Sequence, residues 1–287
     1  MIINKRYNIL ISANHCAPGQ GSEHGVGWNF VSRLSGYHNI TLITNQHEYF
    51  NELTKAATEL GIKVYSVKQY IKYKGLTKLF PFIYYSEYKW WQYRVYKKAG
   101  QLHNKYHFDL VHQITNITFR EPGYLWKLNI PFVWGPVVAL GYDKPKFLSM
   151  YGFSEGLKII LRHASFKIQY AFPKRITKAL KTAKLCLPVC KSTQQILQKL
   201  SPDTDFYIMP ETASIDEYIS DTPAKREFLE EIKLLWISRF DPSKGVMFLL
   251  KALKMVHPSV NYKLIIAGDG PQRRKAIAFC EKNHITY

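Results

Sequence analysis

Arg239 and Lys244 flank a turn made by Asp241, Pro242 and Ser243 in the segment SRFDPSKG. Gly245 follows, and an amphipathic stretch, VMFLLKALKMV, begins directly after it. A guanidinium offers a planar fork of donors and an ammonium a compact charge, so the pair suits a diphosphate. If the amphipathic stretch is a helix, its first N–H groups and partial positive charge face the same anion. A solvated loop in an ordinary crossover unit would use the same residues. His112, in FDLVHQIT, stands near the end of a second apolar run. From there an imidazole can reach a ligand, or bond to backbone at a strand end. A third group is the glycine-rich loop PGQGSEHGVGW, with Gly19, Gly21, Ser22, Glu23 and Gly25. Its glycines allow close approach of backbone to ligand or of helix to strand. Read alone, the loop is a relaxed dinucleotide fingerprint, which makes an NAD(P)-binding Rossmann oxidoreductase one alternative. Glu23 would equally suit the first turn of a helix, where the macrodipole favours an acid.

These groups need strands that end beside them. Apolar runs at 7–12, 40–44, 61–67, 108–114, 131–138, 185–189, 206–209, 232–237 and 262–267 read as strands. Helical spacing is clearest at 48–60, 88–103, 156–171, 192–200 and 272–283, besides the stretches after Gly25 and Gly245. Strands alternating with helices predict an α/β protein built on doubly wound parallel sheets. In such sheets ligands bind outside the carboxyl ends of the strands. Gly135, in FVWGPV, and Gly268, in AGDGP, each close such a strand. The polar segment 213–226 divides a first domain, 1–212, from a second, 227–287. The second has two or three strands, so it reads as incomplete.

The order SRFDPSKG, FLLKAL, YKLIIAGDGP resembles the opening of the nucleotide-sugar domain of retaining glycosyltransferases of family 4, which have the GT-B fold. PGQGSEHGVGW is similar to the first loop of one branch of that family. The resemblance implies two Rossmann-like domains and transfer of a sugar, with retention, from a nucleotide diphosphate sugar to a glycan or lipid-linked acceptor. The expected setting is cell-surface polysaccharide or lipopolysaccharide synthesis. It implies donor-phosphate roles for Arg239, Lys244 and Gly245 and a catalytic role for His112. Gly19, Gly21, Ser22, Glu23, Gly25, Gly135 and Gly268 would be cleft residues. No metal or other cofactor is expected, since cationic side chains and a helix dipole stabilise the leaving group. The family places a pair of glutamates beyond its G-x-G-P turn, and nothing after Pro271 supplies them. The chain therefore reads as C-terminally truncated relative to the family. It would be either an inactive copy or a subunit whose missing part a separate polypeptide provides.

The chain has 287 residues, with 40 basic against 21 acidic and a net charge of +19. Much of the excess lies in 63–105, where lysines and Arg94 interleave with tyrosines, phenylalanines and tryptophans. Cations among aromatics suit the headgroup layer of an anionic membrane, or a solvated face above core aromatics. No nucleic-acid module is recognisable, and nucleic acid is not expected as a partner. Cys16, Cys186, Cys190 and Cys280 include no Cys-x-x-Cys pair. No apolar run reaches the roughly 18 residues of a membrane span. A cytoplasmic protein, peripheral on the inner membrane face, is the expectation.

Overall fold

A computed structural model describes residues 5–70, 81–139, part of 156–170, 173–211, 231–256 and 259–287. The expected connector 213–226, much of the expected helix at 156–171 and the stretch 71–80 lie outside them. The chain divides into two compact units, Met1–Gly141 with Gln169–Ser214, and Tyr142–Ile168 with Ile215–Tyr287.

The first unit is built on strands β1 (Asn8–Ala13), β2 (Asn39–Thr44), β3 (Lys63–Ser66), β4 (Leu110–Gln113), β5 (Phe132–Val137) and β6 (Ala183–Pro188). They pair in parallel in the order β3-β2-β1-β4-β5-β6. The order reverses direction between β1 and β4, which makes the carboxyl ends of those two strands the natural ligand crevice. In register, Ile11 of β1 stands opposite both Leu42 and His112.

Helices α1 (Ser22–Ser35) and α2 (Phe50–Glu59) cover one face. Their Val26, Val31, Leu53 and Ala57 pack on Ile9, Ile11, Ala13, Ile40 and Leu42. Successive strand residues point to opposite faces, so the fully buried Leu10 and Ile43 look the other way. That side is covered by α3 (Pro81–Tyr106), which touches β1. Its buried residues Tyr88, Trp91, Val95, Ala99 and Leu102 recur every three or four positions. Burial on both faces is why these strands read as continuous apolar runs rather than alternating ones.

Helical spacing predicts this helix over 88–103; it starts earlier, at Pro81. Helix α4 (Lys174–Thr182) lies outside the helical stretches evident in the sequence, its buried Ile176, Ala179 and Leu180 sitting among four basic residues. Helix α5 (Lys191–Leu200) follows β6 as expected. The strand expected at 206–209 is reduced to one bridge from Phe206 to Cys186, with Tyr207 N–H bonding Cys186 O and Met209 N–H bonding Pro188 O. Pro188 has no N–H to return, so the ladder goes no further.

In the second unit β7 (Ile232–Ile237) and β8 (Tyr262–Ala267) pair in parallel, joined through α6 (Val246–Leu253) and followed by α7 (Arg273–Lys282). Val246, Met247, Leu250 and Leu253 of α6 and Ala276 and Cys280 of α7 bury Leu264 against them. The opposite sheet face leaves Leu235 64%, Ile237 71% and Ile265 45% exposed. Parallel sheets are ordinarily covered on both sides, so this face is unusual. The strand start expected at 284–287 meets β8 through the bond from Leu264 N–H to Thr286 O at 3.2 Å, while Ile285 N–H bonds back to Cys280 O of α7 at 3.0 Å.

Candidate functional site

In the second unit, the loop carrying the two cations is fixed at three points. Phe240 is buried and packs its ring 5.1 Å from that of Trp236. Asp241 caps a single 3-10 turn, Pro242–Lys244, by accepting from Ser243 N at 3.0 Å and Ser243 Oγ at 2.8 Å. Proline in the first position loses no useful N–H. The hydrogen bonds from Ser243, with a smaller share from Arg239, hold the Asp241 carboxyl below its usual range. It is therefore ionised at neutral pH and grips the turn. Gly245 then opens α6 with φ +75, a left-handed conformation that glycine adopts without strain.

The turn after β8 lies directly on this loop. Phe240 N–H bonds Asp269 O at 2.8 Å, and Gln272 N–H bonds Phe240 O at 2.9 Å. A Cβ on Gly268, whose φ is +143, would stand 1.9 Å from Ser238 O. Glycine here is a condition of the two strand ends meeting at all. Arg239 rises from this platform with its side chain 77% exposed and one bond, Nη2 to Asp241 Oδ2 at 3.0 Å. Lys244 is exposed on the same loop, just before the N-terminus of α6. Arg239, Lys244, Gly245 and Gly268 are thus brought to one edge of one sheet. Asp241 is legible in the sequence as part of the turn; the anchoring of the loop by Phe240 is not.

In the first unit the glycine loop and the end of β4 meet where the strand order reverses. Ile114 N–H bonds Ser12 O at 3.0 Å, and His15 N–H bonds Thr115 Oγ1 at 3.1 Å. Glu23 accepts from Asn116 N–H at 3.1 Å, clamping a residue that sits at φ +57. Burial raises the Glu23 carboxyl, opposed by the backbone bonds of Asn116 and Ile117. Asn116 Nδ2 in turn reaches Tyr84 Oη at 3.3 Å. Asn116 was missed, although asparagine after a strand is a standing signal for a left-handed turn.

The glycines of this loop divide by use. A Cβ on Gly25 would lie 2.3 Å from Gln20 O, and one on Gly27 would lie 2.2 Å from His15 O. Those two admit the chain's own backbone. Gly19, at φ +66, and Gly21 face open space, with Ser22 exposed beside them. A dinucleotide fingerprint spends its second glycine on the pyrophosphate. Here the second glycine, Gly21, is open, and the close approaches fall at Gly25 and Gly27.

His112 is 6% exposed, and its Nε2–H donates to Gly135 O at 2.8 Å. Gly135, at φ +139, is pressed against Leu187, with a Cβ position 2.6 Å from Leu187 O. The Phe30 ring meets the imidazole edge-on at 5.8 Å. Burial lowers the His112 pKa to about 4, more than the Gly135 bond raises it, so the ring is neutral at pH 7. In this arrangement the imidazole ties the end of β4 to Gly135, which lies inside β5 rather than closing it.

His15, His24 and His47 form a second imidazole group, with ring centroids 4.8 and 5.0 Å apart. Burial, then the neighbouring histidines, lowers His15 to about 4. No set of metal-ligating side chains occurs among the described residues.

The histidines make stability depend on pH in a definite direction. A folded value near 4 against an unfolded value of about 6.5 means that the unfolded chain binds more protons between the two. Stability is thus fully present above pH 6.5 and falls as pH drops toward 4. His112 alone would contribute a loss of about 3 kcal/mol. Urea midpoints at pH 7 and 4.5 should separate accordingly, and the separation should shrink by that share in His112→Gln.

No protein-family model matches the chain, and no curated protein matches it. Solved structures do. A lipopolysaccharide outer core galactosyltransferase, WaaB, in its apo form superposes with a TM-score of 0.57 at 13% identity, over 97% of this chain and 65% of that one. The N-terminal domain of Candida albicans trehalose-6-phosphate phosphatase gives 0.55 at 10% identity, over 98% and 68%. Sucrose-phosphate synthase from Thermosynechococcus elongatus gives 0.51 at 13% identity, also over 98% and 68%. The fold is Rossmann-like and of the GT-B type. This chain spans 65% of the length of the galactosyltransferase it superposes on.

Proposed function

We propose that the chain binds a nucleotide diphosphate sugar and belongs to a retaining glycosyltransferase that hands the sugar to a glycan or lipid-linked acceptor. The observation that carries this reading is the paired exposure of Arg239 and Lys244 on a loop locked by Asp241, at the N-terminus of α6. A diphosphate arriving there would take the guanidinium from Asp241 and gain the ammonium and the helix N–H groups besides. Negative charge grows on that diphosphate as the anomeric bond breaks, so the same groups stabilise the transition state more than the ground state. Sugar transfer is what the name of the galactosyltransferase describes, and it shares the fold. Lipopolysaccharide or other surface-glycan assembly is the setting that this name favours. Under this reading His112 is held by the bond from its Nε2 to Gly135 O, with Nδ1 as the nitrogen left for the catalytic role.

The test is a panel of uridine, guanosine and adenosine diphosphate sugars presented to the purified chain. At least one should bind, its bare nucleoside should bind far more weakly, and any product should keep the anomeric configuration by NMR. Binding of NAD(P)H with no sugar nucleotide bound would reject it.

Two partners belong to the same proposal. The exposed apolar face of Leu235, Ile237 and Ile265 is where a further polypeptide layer would complete the second unit. An anionic membrane would meet α3. Trp90 is 67% exposed with its ring 6.1 Å from Tyr93, Lys97 Nζ stands 5.6 Å over Tyr93, and Arg94 stands 4.8 Å over Tyr70. No helix among the described residues is long and apolar enough to cross a membrane. Each cation near an anionic surface adds about 1 kcal/mol, so Arg94→Ala with Lys97→Ala should cut vesicle binding roughly thirtyfold. Equal sedimentation with phosphatidylglycerol and phosphatidylcholine vesicles would reject the contact.

A further inference from the structure

At the opposite edge of the first sheet, where the strands begin, a cavity of about 280 Å³ opens between β2, β3 and the end of α3. Its polar lining is Asn8, Asn39, Thr41, Lys63, Lys105 and Tyr106. Lys63 Nζ lies 4.4 Å and Lys105 Nζ 5.1 Å from the centre of the Tyr106 ring, so two ammonium groups converge on one phenol. The Tyr106 and Tyr65 hydroxyls share a hydrogen bond of 2.7 Å, and Lys98 Nζ adds a third cation 5.4 Å from the Tyr65 ring.

The groups that would repel an anion are turned aside. Asp109, the nearest carboxylate on the same loop, accepts from Asn8 N–H at 2.8 Å and is no part of the lining. Tyr106 O, a carbonyl at the negative end of α3, faces Asn8 Nδ2 at 3.5 Å. Asn39 Nδ2 bonds Asn8 Oδ1 at 3.1 Å and fixes the amide pair. The cavity lining carries the positive charge of Lys63 and Lys105 beside the Thr41 and Tyr106 hydroxyls and the amide pair.

We propose that this cavity is a second ligand site, distinct from the Arg239–Lys244 loop, which takes a phosphate ester held between Lys63 and Lys105. At about 280 Å³ it lies just under the usual range for small-molecule sites, roughly 300–1,000 Å³. That is room for a phosphate with a compact polar substituent, and too little for a whole sugar nucleotide. A soluble sugar phosphate and the phosphate of a lipid headgroup share this chemistry.

The experiment uses the full chain carrying Arg239→Ala and Lys244→Ala, so that loss of the proposed donor site cannot be mistaken for loss of this one. Calorimetric titration with inorganic phosphate and with glucose 6-phosphate should still show one site. Adding Lys63→Ala and Lys105→Ala should weaken it at least about a hundredfold, since each charged hydrogen bond is worth roughly tenfold or more. Asn39→Asp, which keeps both lysines but sets a like charge at the rim, should weaken it as well. A melting temperature within error of the parent verifies that each variant is folded. Vesicles containing phosphatidic acid identify the source: lysine-dependent capture points to a headgroup, and binding of the soluble esters alone points to a metabolite. Phosphate affinity unchanged by the lysine pair, or no phosphate bound at all, overturns the proposal.

Discussion

Replacing Arg239 and Lys244 together by alanine is expected to lower affinity for a nucleotide diphosphate sugar by two to three orders of magnitude. Hydrogen bonds to charged groups contribute about 1.5–3 kcal/mol each, and the two side chains address the same diphosphate. Fold should be untouched, because both side chains are exposed and Arg239 bonds only Asp241 among the described residues. Arg239→Lys should recover less than half of the lost free energy, since an ammonium lacks the planar fork. Asp241→Asn is a second control. It keeps the shape of the cap while removing the charge that competes for Arg239, so binding should be retained or improved if the turn still closes. The check is calorimetry with the tightest donor of the panel. Equal loss for a nucleoside lacking phosphates would show that the cations act on structure rather than on the diphosphate.

Gly268→Ala should be the most damaging single substitution in the second unit. A methyl group there would stand 1.9 Å from Ser238 O, and φ +143 is strained for any side chain. Backbone on both sides leaves no flexible atom to give way. The expected cost is at least about 3 kcal/mol, from strain and overpacking together. Because the joined strand ends are also the platform for Arg239, donor binding should fall with stability. Gly19→Ala supplies the comparison: its φ is +66 but its Cβ position is open, so about 1 kcal/mol is expected. Hydrogen exchange of the β7 and β8 amides would show the difference. Protection unchanged in Gly268→Ala would contradict the geometry.

Much of this was legible because it is periodic. The first sheet's strands are apolar runs buried on both faces, and residues 7–12, 40–44 and 108–114 already looked like that. Parallel order followed from the helices between them. The cation loop was legible for a different reason: Asp-Pro-Ser followed by Lys-Gly is turn chemistry whose residues fix their own conformation.

What stayed hidden depends on contacts between distant segments. Nothing local shows that Gly25 is filled by Gln20 O, or that Glu23 reaches forward to Asn116. His112 was visible as a strand-end histidine; that its ring turns to Gly135 is decided by a strand 23 residues on. Helix α4 hid in its own charge, and the lysine-lined cavity joins Asn8 to Tyr106 across 98 positions. The exposed face of Leu235 and Ile237 could not be read at all, because the sequence there looks like any buried strand.

The central claim is that a donor diphosphate rests on Arg239 and Lys244, and a crystal soaked with a nucleoside diphosphate tests it most directly. The account predicts density for the two phosphates within about 3 Å of the guanidinium and the ammonium, with the Arg239–Asp241 bond opened. Phosphates found instead on the glycine loop at Gly19–Gly25, with Arg239 still held by Asp241, would contradict it.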